Sequence, residues 1–289
     1  MKLALGPLQY YWPRQTTLDF YAAVAGMPVD IVYLGETVCS RRHELRLDDY
    51  FEIAARLADA GKEVALSTQT LIESESDLKA LRRMVENGRF LVEANEMGAV
   101  RLLAQRSVPF AAGPTLNIFN TETLGLLADM GATRWVMPPE AGHDLLAGMQ
   151  ARLPEGMVTE VFAYGRVPLA YSARCFTARR FNLQKDTCEF KCIDFPDGMA
   201  VRTREGEDFL LLNGIQTQSA KVYNLLNDLP DLLAAGVGIL RISPQSAGIA
   251  EVLAAFRAAL DGRAAQLAGD YCNGFWHGRP GLELIRKAA

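Results

Sequence analysis

The sequence lacks the long apolar runs, the positive charge excess and the export signal that would each define a class of protein. No stretch reaches 18 consecutive apolar residues, so we expect no transmembrane segment. Thirty Lys and Arg residues stand against 34 Asp and Glu residues, which leaves no overall electrostatic attraction for nucleic acid. The first apolar stretch breaks at Gly6-Pro7, too early for the core of a signal peptide, and we therefore expect a cytoplasmic protein.

Common catalytic and nucleotide-binding motifs are missing as well. The chain contains no G-x-G-x-x-G, no G-x-x-x-x-G-K-[ST], no H-E-x-x-H and no G-x-S-x-G motif. Its three histidines, His43, His143 and His277, include no pair at metal-ligand spacing. A dinucleotide-binding enzyme, a P-loop NTPase, a zinc protease and an α/β-hydrolase are therefore not indicated.

What the sequence does contain is a regular alternation of short apolar runs and amphipathic segments, which is typical of βαβ units. We predict strands at 2–5, 31–34, 63–66, 90–92, 110–112, 135–137, 158–164 and 238–242. Helices are predicted after the N-caps Asp48 and Asp77 and from Thr121. Eight strands with intervening helices predict an α/β fold, a (β/α)8 TIM-barrel-like domain over 1–289, with a doubly wound open sheet as the alternative.

One segment interrupts this alternation. Residues 171–217 show helical periodicity over only part of their length and include a turn at 204–207 before an apolar run. We interpret them as an insertion after strand seven that carries three cysteines and a hairpin.

Polar residues follow most of the predicted strands, where barrel enzymes carry their chemistry. Glu36 follows strand two, and Asn117 and Asn120 follow strand five, so these three are candidates for holding a substrate. Loops are polar in most proteins, and Asn120 is also placed to cap the next helix.

The cysteines are the more specific signal. Cys175, Cys188 and Cys192 lie within the insertion at a C-x12-C-x3-C spacing, and Cys39 lies in the loop after strand two. In a barrel both loops open on one face, so four thiolates can meet there. Such a set suits zinc or an iron–sulfur cluster, and the scarcity of short Cys pairs favours iron. The alternative is that these are unligated cysteines buried as small hydrophobes, and Cys272 is interpreted in that way.

Five sequence blocks carry a family resemblance. They are LGPLQYYWP (5–13), VYLGETVCSRR (32–42), PLAYSARCFTAR (168–179), LNGIQT (212–217) and CNGFW (272–276). The chain resembles the collagenase-like (U32) peptidase family, and within it the members that act in oxygen-independent ubiquinone biosynthesis.

The resemblance implies a subunit of an oxygen-independent hydroxylase that acts on the ubiquinone ring and binds a [4Fe-4S] cluster through Cys39, Cys175, Cys188 and Cys192. It also implies a heterodimer with a sister protein, UbiU, a UbiT-like lipid carrier that presents the ubiquinone precursor, and prephenate as hydroxyl donor. Two other classes stay open: a zinc-stabilised, non-catalytic scaffold subunit and a peptidase. No nucleophile with a base can be placed on the sequence for the peptidase.

Overall fold

The computed structural model describes residues 1–286, in which apolar runs form strands and amphipathic segments form helices. The strands are β1 (Lys2–Leu5), β2 (Ile31–Leu34), β3 (Glu63–Ser67), β4 (Leu91–Ala94), β5 (Phe110–Ala112), β6 (Ala132–Val136), β7 (Val158–Tyr171), β8 (Met199–Arg202), β9 (Asp208–Asn213), β10 (Gln216–Asn224), β11 (Ile239–Ile242) and β12 (Tyr271–Cys272). The α-helices are α1 (Arg14–Val24), α2 (Leu47–Asp59), α3 (Glu75–Val85), α4 (Met97–Gln105), α5 (Thr121–Asp129), α6 (His143–Gln150), α7 (Phe176–Arg180), α8 (Leu229–Ala234) and α9 (Ile249–Leu260).

Strand pairing closes a barrel. Strands β1 to β7 pair in parallel in chain order, and β11 pairs in parallel with both β7 and β1. Lys2 lies opposite Ile239 in one of these pairs, and Ile239 lies opposite Glu160 in the other. The predicted (β/α)8 barrel is therefore confirmed, and the open sheet is excluded because β11 joins β7 to β1, so none of the eight parallel strands lies at a free edge.

The helices pack their apolar faces on the barrel, but two of them begin earlier than predicted. Helix α2 buries Ile53, Ala54 and Leu57, so its apolar stripe lies where periodicity placed it. It begins at Leu47, so Asp48 lies inside the first turn rather than at the N-cap. Helix α3 begins at Glu75 because the Ser74 hydroxyl accepts a hydrogen bond from the Asp77 backbone N–H, at 3.2 Å.

The chain departs from the barrel after β7. This strand was expected to end at residue 164, but it continues to Tyr171 and its outer part pairs antiparallel with β10. Strand β9 pairs antiparallel with β10 on one side and with β8 on the other, and the turn between β8 and β9 is closed by Thr203 and Glu207. Residues 171–217 thus extend the sheet beyond the barrel and hold three of the cysteines above its carboxyl-terminal face.

Each helix in residues 1–286 is too short or too polar to cross a bilayer. The longest is α2, with 13 residues.

Asp49 gives a pH-dependent test of the fold. Its carboxylate accepts hydrogen bonds from the Arg14 guanidinium, at 2.6 and 2.7 Å, and from the Arg46 backbone N–H. Arg14 is the main reason that the pKa of Asp49 is lowered to about 2. A carboxyl with a lowered folded-state pKa stabilises the fold above its unfolded pKa, about 3.9, and loses this contribution as the pH falls toward 2.

We therefore expect Asp49→Asn to lower the Tm at pH 6, with a difference from wild type that shrinks below pH 4 and is nearly gone at pH 2. Thermal unfolding followed by circular dichroism across this range measures it. Asp48→Asn is the matched control, because Asp48 lies one residue away in an exposed pair with Arg83, and its substitution should change the Tm little. A Tm deficit for Asp49→Asn that is the same at pH 2 and pH 6 would contradict the assignment.

Candidate functional site

The loop after β2 is shaped by Gly35 and Glu36. Gly35 has φ +150°, and a Cβ at this position would lie 2.2 Å from the Ser67 carbonyl oxygen, so the chain can turn here only with glycine. The Glu36 carboxylate then accepts hydrogen bonds from the backbone N–H groups of Val38, at 2.9 Å, and Cys39, at 3.0 Å. Glu36 therefore fixes the backbone that carries Cys39.

Arg42 joins this loop to two other segments. Its guanidinium donates to the carbonyl oxygen of Gln9, in the loop after β1, at 2.7 Å, and to Oδ1 of Asn213, at the end of β9, also at 2.7 Å. It also lies 3.5 Å from the Glu36 carboxylate, and its charge acts to lower the pKa of the Cys192 thiol, against the larger effect of burial. The Arg42 side chain is 1% exposed.

The charges of this group depend on one another. Burial raises the pKa of Glu36 above its ordinary value, and Arg42 offsets only part of that effect. Burial acts to lower the pKa of Arg42, but Glu36 and Cys192 together raise it above its ordinary value. Arg42 therefore stays charged, and its positive charge acts on the thiols of both Cys39 and Cys192.

The four cysteines of the predicted cluster lie on loops and short turns, and each is half-buried with a free thiol. Cys39 lies in the loop after β2, Cys175 caps α7, and Cys188 and Cys192 end or occupy short 3₁₀ turns. Burial raises the pKa of Cys39 to about 11 and also raises the pKa of Cys192.

Several contacts hold the β2 loop against the insertion. Arg41 donates to the carbonyl oxygen of Asp186, at 2.6 Å, and to its carboxylate, at 3.1 Å. The Phe190 ring lies 6.0 Å from the rings of both Tyr11 and His43. Loops that are 145 residues apart in sequence are thus brought together, as the barrel hypothesis required.

The donor chemistry suits a soft metal or an iron–sulfur cluster, because four thiols that make no disulfide lie on adjoining loops. Through residue 286, however, no three His, Cys, Asp or Glu side chains stand close enough together to form a ready-made metal site. Cys272 differs from the four, because it lies fully buried in β12 beside β10.

A cavity of about 440 Å³ opens at the carboxyl ends of the barrel strands. Its walls are largely apolar, and the polar groups among its lining residues include Gln9, Asn95, Asn117, Tyr171 and Arg241. We call it the barrel pocket. Pockets of this size with a few polar groups are the usual form of a small-molecule site.

The three predicted substrate residues are placed differently. Asn117, which has φ 53° in the left-handed region, lines the barrel pocket at its exposed rim. Asn120 is exposed and caps α5 by accepting the Thr123 backbone N–H, at 2.8 Å. Glu36 borders a second cavity, of about 210 Å³, between α2 and α3.

The floor of the barrel pocket is charged. Arg241 donates to the carboxylates of Glu93 and Glu160, each at 2.6 Å, and its guanidinium lies over the Tyr33 ring at 4.1 Å. All three charged side chains are no more than 5% exposed. Arg134 continues the network, since it donates to the Tyr33 hydroxyl at 2.6 Å.

Sequence reasoning did not single out Arg42, Gln9 or Arg241. Arg241 left a signal, because it is a charged residue in the middle of an apolar strand, and such a residue must be paired when the strand is buried on both faces. The sequence contains no such signal for Arg42 and Gln9, because the role of each depends on contacts with segments that are distant in sequence.

A closed barrel of eight parallel strands with a pocket at their carboxyl ends defines a (β/α)8 barrel protein. The chain belongs to the U32 peptidase family, since the model of "Peptidase family U32" matches residues 17–272.

The solved structures that are similar to the chain include a U32 peptidase and an aldolase. The U32 peptidase Mk0906 is 13% identical with a TM-score of 0.47, over 85% of this chain and 93% of that one. N-acetylneuraminate lyase (sialic acid aldolase) from Aliivibrio salmonicida is 12% identical with a TM-score of 0.47, over 91% of this chain and 75% of that one.

Proposed function

We propose that this chain is a UbiV-like iron–sulfur subunit of an oxygen-independent hydroxylase that acts on the ubiquinone ring. The observation that carries the proposal is the docking of the Cys39 loop, through Arg41 and Arg42, onto the insertion that bears the other three cysteines. Membership of the U32 family and the five sequence blocks support the same function.

Cys39, Cys175, Cys188 and Cys192 are the residues proposed to hold a [4Fe-4S] cluster. When bound, such a cluster supplies one-electron transfer. Arg42 places a fixed positive charge beside two of these thiols and offsets part of the negative charge that four thiolates bring together. It also ties the cysteine loops to Gln9, which lines the barrel pocket.

The barrel pocket is the proposed site of the substrate ring. Met97 and Leu169 line it and are 55% and 41% exposed, so its rim offers apolar surface to a prenyl substituent. Of the three candidate substrate residues, Asn117 lines this pocket. The proposed partners are UbiU in a heterodimer and a UbiT-like carrier for the ubiquinone precursor, with prephenate as the hydroxyl donor.

The peptidase alternative has no support at this pocket. The three histidines all fall in the described part of the chain, and none of them lines the barrel pocket. A serine or cysteine nucleophile there would have no histidine base.

Anaerobic ubiquinone synthesis tests the proposed function. A host whose own copy of this gene is deleted is supplied with the wild-type chain, Cys192→Ser or Cys272→Ser, and its ubiquinone is measured after growth without oxygen. We expect wild type and Cys272→Ser to restore synthesis and Cys192→Ser to leave less than about a tenth of it, because serine is a poor ligand for iron in such clusters. Full synthesis with Cys192→Ser, at equal protein level, would refute the assignment.

A further inference from the structure

A group of buried amide side chains lies between the cysteine loops and the barrel pocket. It consists of Gln9, Asn213, Gln216 and Gln218, which are 8%, 2%, 0% and 0% exposed. We call this group the amide chain. Each of its members exchanges hydrogen bonds with at least one other, so the orientation of one amide restricts the orientation of the next.

Arg42 sets the orientation at one end. A guanidinium has only donors, so the Asn213 atom that lies 2.7 Å from Arg42 Nη2 must be the acceptor, Oδ1. Asn213 Nδ2 is thereby directed to the Gln9 carbonyl oxygen, at 2.8 Å, and to Gln216 Oε1, at 3.0 Å. No other assignment of the Asn213 amide satisfies all three neighbours.

The same logic reaches Gln9 through the next two amides. Because Gln216 Oε1 is an acceptor, Gln216 Nε2 donates to the Tyr171 hydroxyl, at 2.7 Å, and to Gln9 Oε1, at 3.2 Å. Gln218 accepts a hydrogen bond from Tyr10 and donates from its Nε2 to the same Gln9 Oε1, at 2.9 Å. Turning the Gln9 amide over would bring its NH₂ group against two other NH₂ groups.

The amide chain therefore leaves Gln9 Nε2 as a donor that makes no hydrogen bond within residues 1–286, and Gln9 is a lining residue of the barrel pocket. Arg241 is arranged in a similar way. Its Nε and Nη2 bind Glu160 and Glu93, while its Nη1 makes no hydrogen bond within the described chain. Since two carboxylates already balance the Arg241 charge, the pocket offers hydrogen-bond donors without a strong positive field. Such a pocket suits an uncharged acceptor oxygen better than an anion.

We propose that Gln9 is a specificity-determining residue of the barrel pocket, where its Nε2, held as a donor by the amide chain and Arg42, binds a carbonyl oxygen of a planar ring. Arg241 Nη1 is the second donor, and the Phe162 side chain and the other apolar walls contact the ring. Asn213 is a positioning residue, because it acts on the ligand only through Gln9. The identity of the ring rests on the proposed function, whereas the donor geometry does not.

The test is the binding of duroquinone, tetramethyl-1,4-benzoquinone, to the purified full chain under anaerobic conditions, measured by isothermal titration calorimetry. Duroquinone has two carbonyl oxygens and no free ring position for thiol addition. We expect Gln9→Glu, which keeps the acceptor and removes the donor, to raise the Kd on the order of 10- to 100-fold. Gln9→Leu, which introduces no charge, should raise it similarly.

Two further variants separate positioning from folding. Gln15→Glu makes the same chemical change on the exposed face of α1 and should leave the Kd unchanged. Asn213→Asp still accepts from Arg42 but cannot donate to Gln216, so it should raise the Kd severalfold in the wild-type background. In the Gln9→Leu background, Asn213→Asp should not raise the Kd further. If Asn213 only stabilised the fold, the substitution would raise the Kd in both backgrounds.

Duroquinone that fails to bind wild type, or that binds both Gln9 variants as tightly as wild type, would overturn the inference. This experiment requires neither a cluster nor a partner. A chain that binds duroquinone through Gln9 but carries no iron would overturn the proposed function and leave the inference standing. A chain that supports ubiquinone synthesis but binds duroquinone independently of Gln9 would overturn the inference and leave the proposed function standing.

Discussion

Replacement of Arg241 by methionine is expected to lower the free energy of unfolding by about 3–5 kcal/mol, because Glu93 loses its cation and Glu160 keeps only the more distant Arg134, at 3.8 Å. Glu93 and Glu160 are each at most 1% exposed, so both carboxylates depend on partners within the protein. Methionine has a flexible side chain about as long as the aliphatic part of arginine, so it can fill the space beside Gly6, where a Cβ would lie 3.3 Å from the Arg241 side chain. Urea unfolding followed by circular dichroism measures the effect.

Arg202→Met is the matched control for this prediction. Arg202 also forms an ion pair, with Asp208 at 2.9 Å, but both side chains are at least 60% exposed. Exposed pairs contribute about 0–1 kcal/mol, so this variant should unfold at nearly the same urea concentration as wild type. A loss below about 1 kcal/mol for Arg241→Met would show that the barrel interior does not depend on this cation, contrary to its position between two buried carboxylates.

Arg42→Met is expected to have the second large effect, a loss of about 2–4 kcal/mol of unfolding free energy. The substitution removes the donors to the Gln9 carbonyl and Asn213 Oδ1 and the charge that faces Glu36. These three acceptors would then face the apolar methionine side chain instead of a charged donor. The loop that carries Cys39 would at the same time lose its buried connection to Asn213 in the insertion.

The neighbouring arginine is the control. Arg41 also bonds to the insertion, through Asp186, but its side chain is 36% exposed and that of Asp186 is 85% exposed. Arg41→Met should therefore cost less than about 1 kcal/mol. Equal losses of unfolding free energy for Arg41→Met and Arg42→Met would mean that the buried hydrogen bonds of Arg42 stabilise the fold no more than the exposed ones of Arg41.

The barrel strands were accessible from the sequence because each is a short apolar run that is buried on both faces. Strands β1, β2 and β5 begin and end at the predicted residues, and the others differ by a few residues at one end or both, apart from β7. Strand β7 was the main error. Its outer part contains Gly165 and Pro168, residues that weaken a strand assignment, and only pairing with the distant β10 makes it a strand.

The candidate site was accessible only in part, for a related reason. Cysteines can be singled out in a sequence by residue type alone, and the barrel topology explains why loops that are far apart in sequence lie together. The roles of Arg42 and Gln9 depend on their hydrogen bonds with Asn213. In sequence, Asn213 is 171 positions from Arg42 and 204 positions from Gln9. Local patterns contain no information on such contacts, and a buried glutamine looks the same in sequence as an exposed one.

Four cysteines of this chain are proposed to hold an iron–sulfur cluster, and metal analysis after anaerobic purification is the measurement that decides it. The chain is purified alone and together with UbiU, and its iron, sulfide and zinc are measured. We predict about four irons and four sulfides per chain. Each of Cys39→Ser, Cys175→Ser, Cys188→Ser and Cys192→Ser should abolish this content, and Cys272→Ser should retain it. Stoichiometric zinc, or a wild-type chain without metal under both conditions, would overturn the proposal of an iron–sulfur cluster.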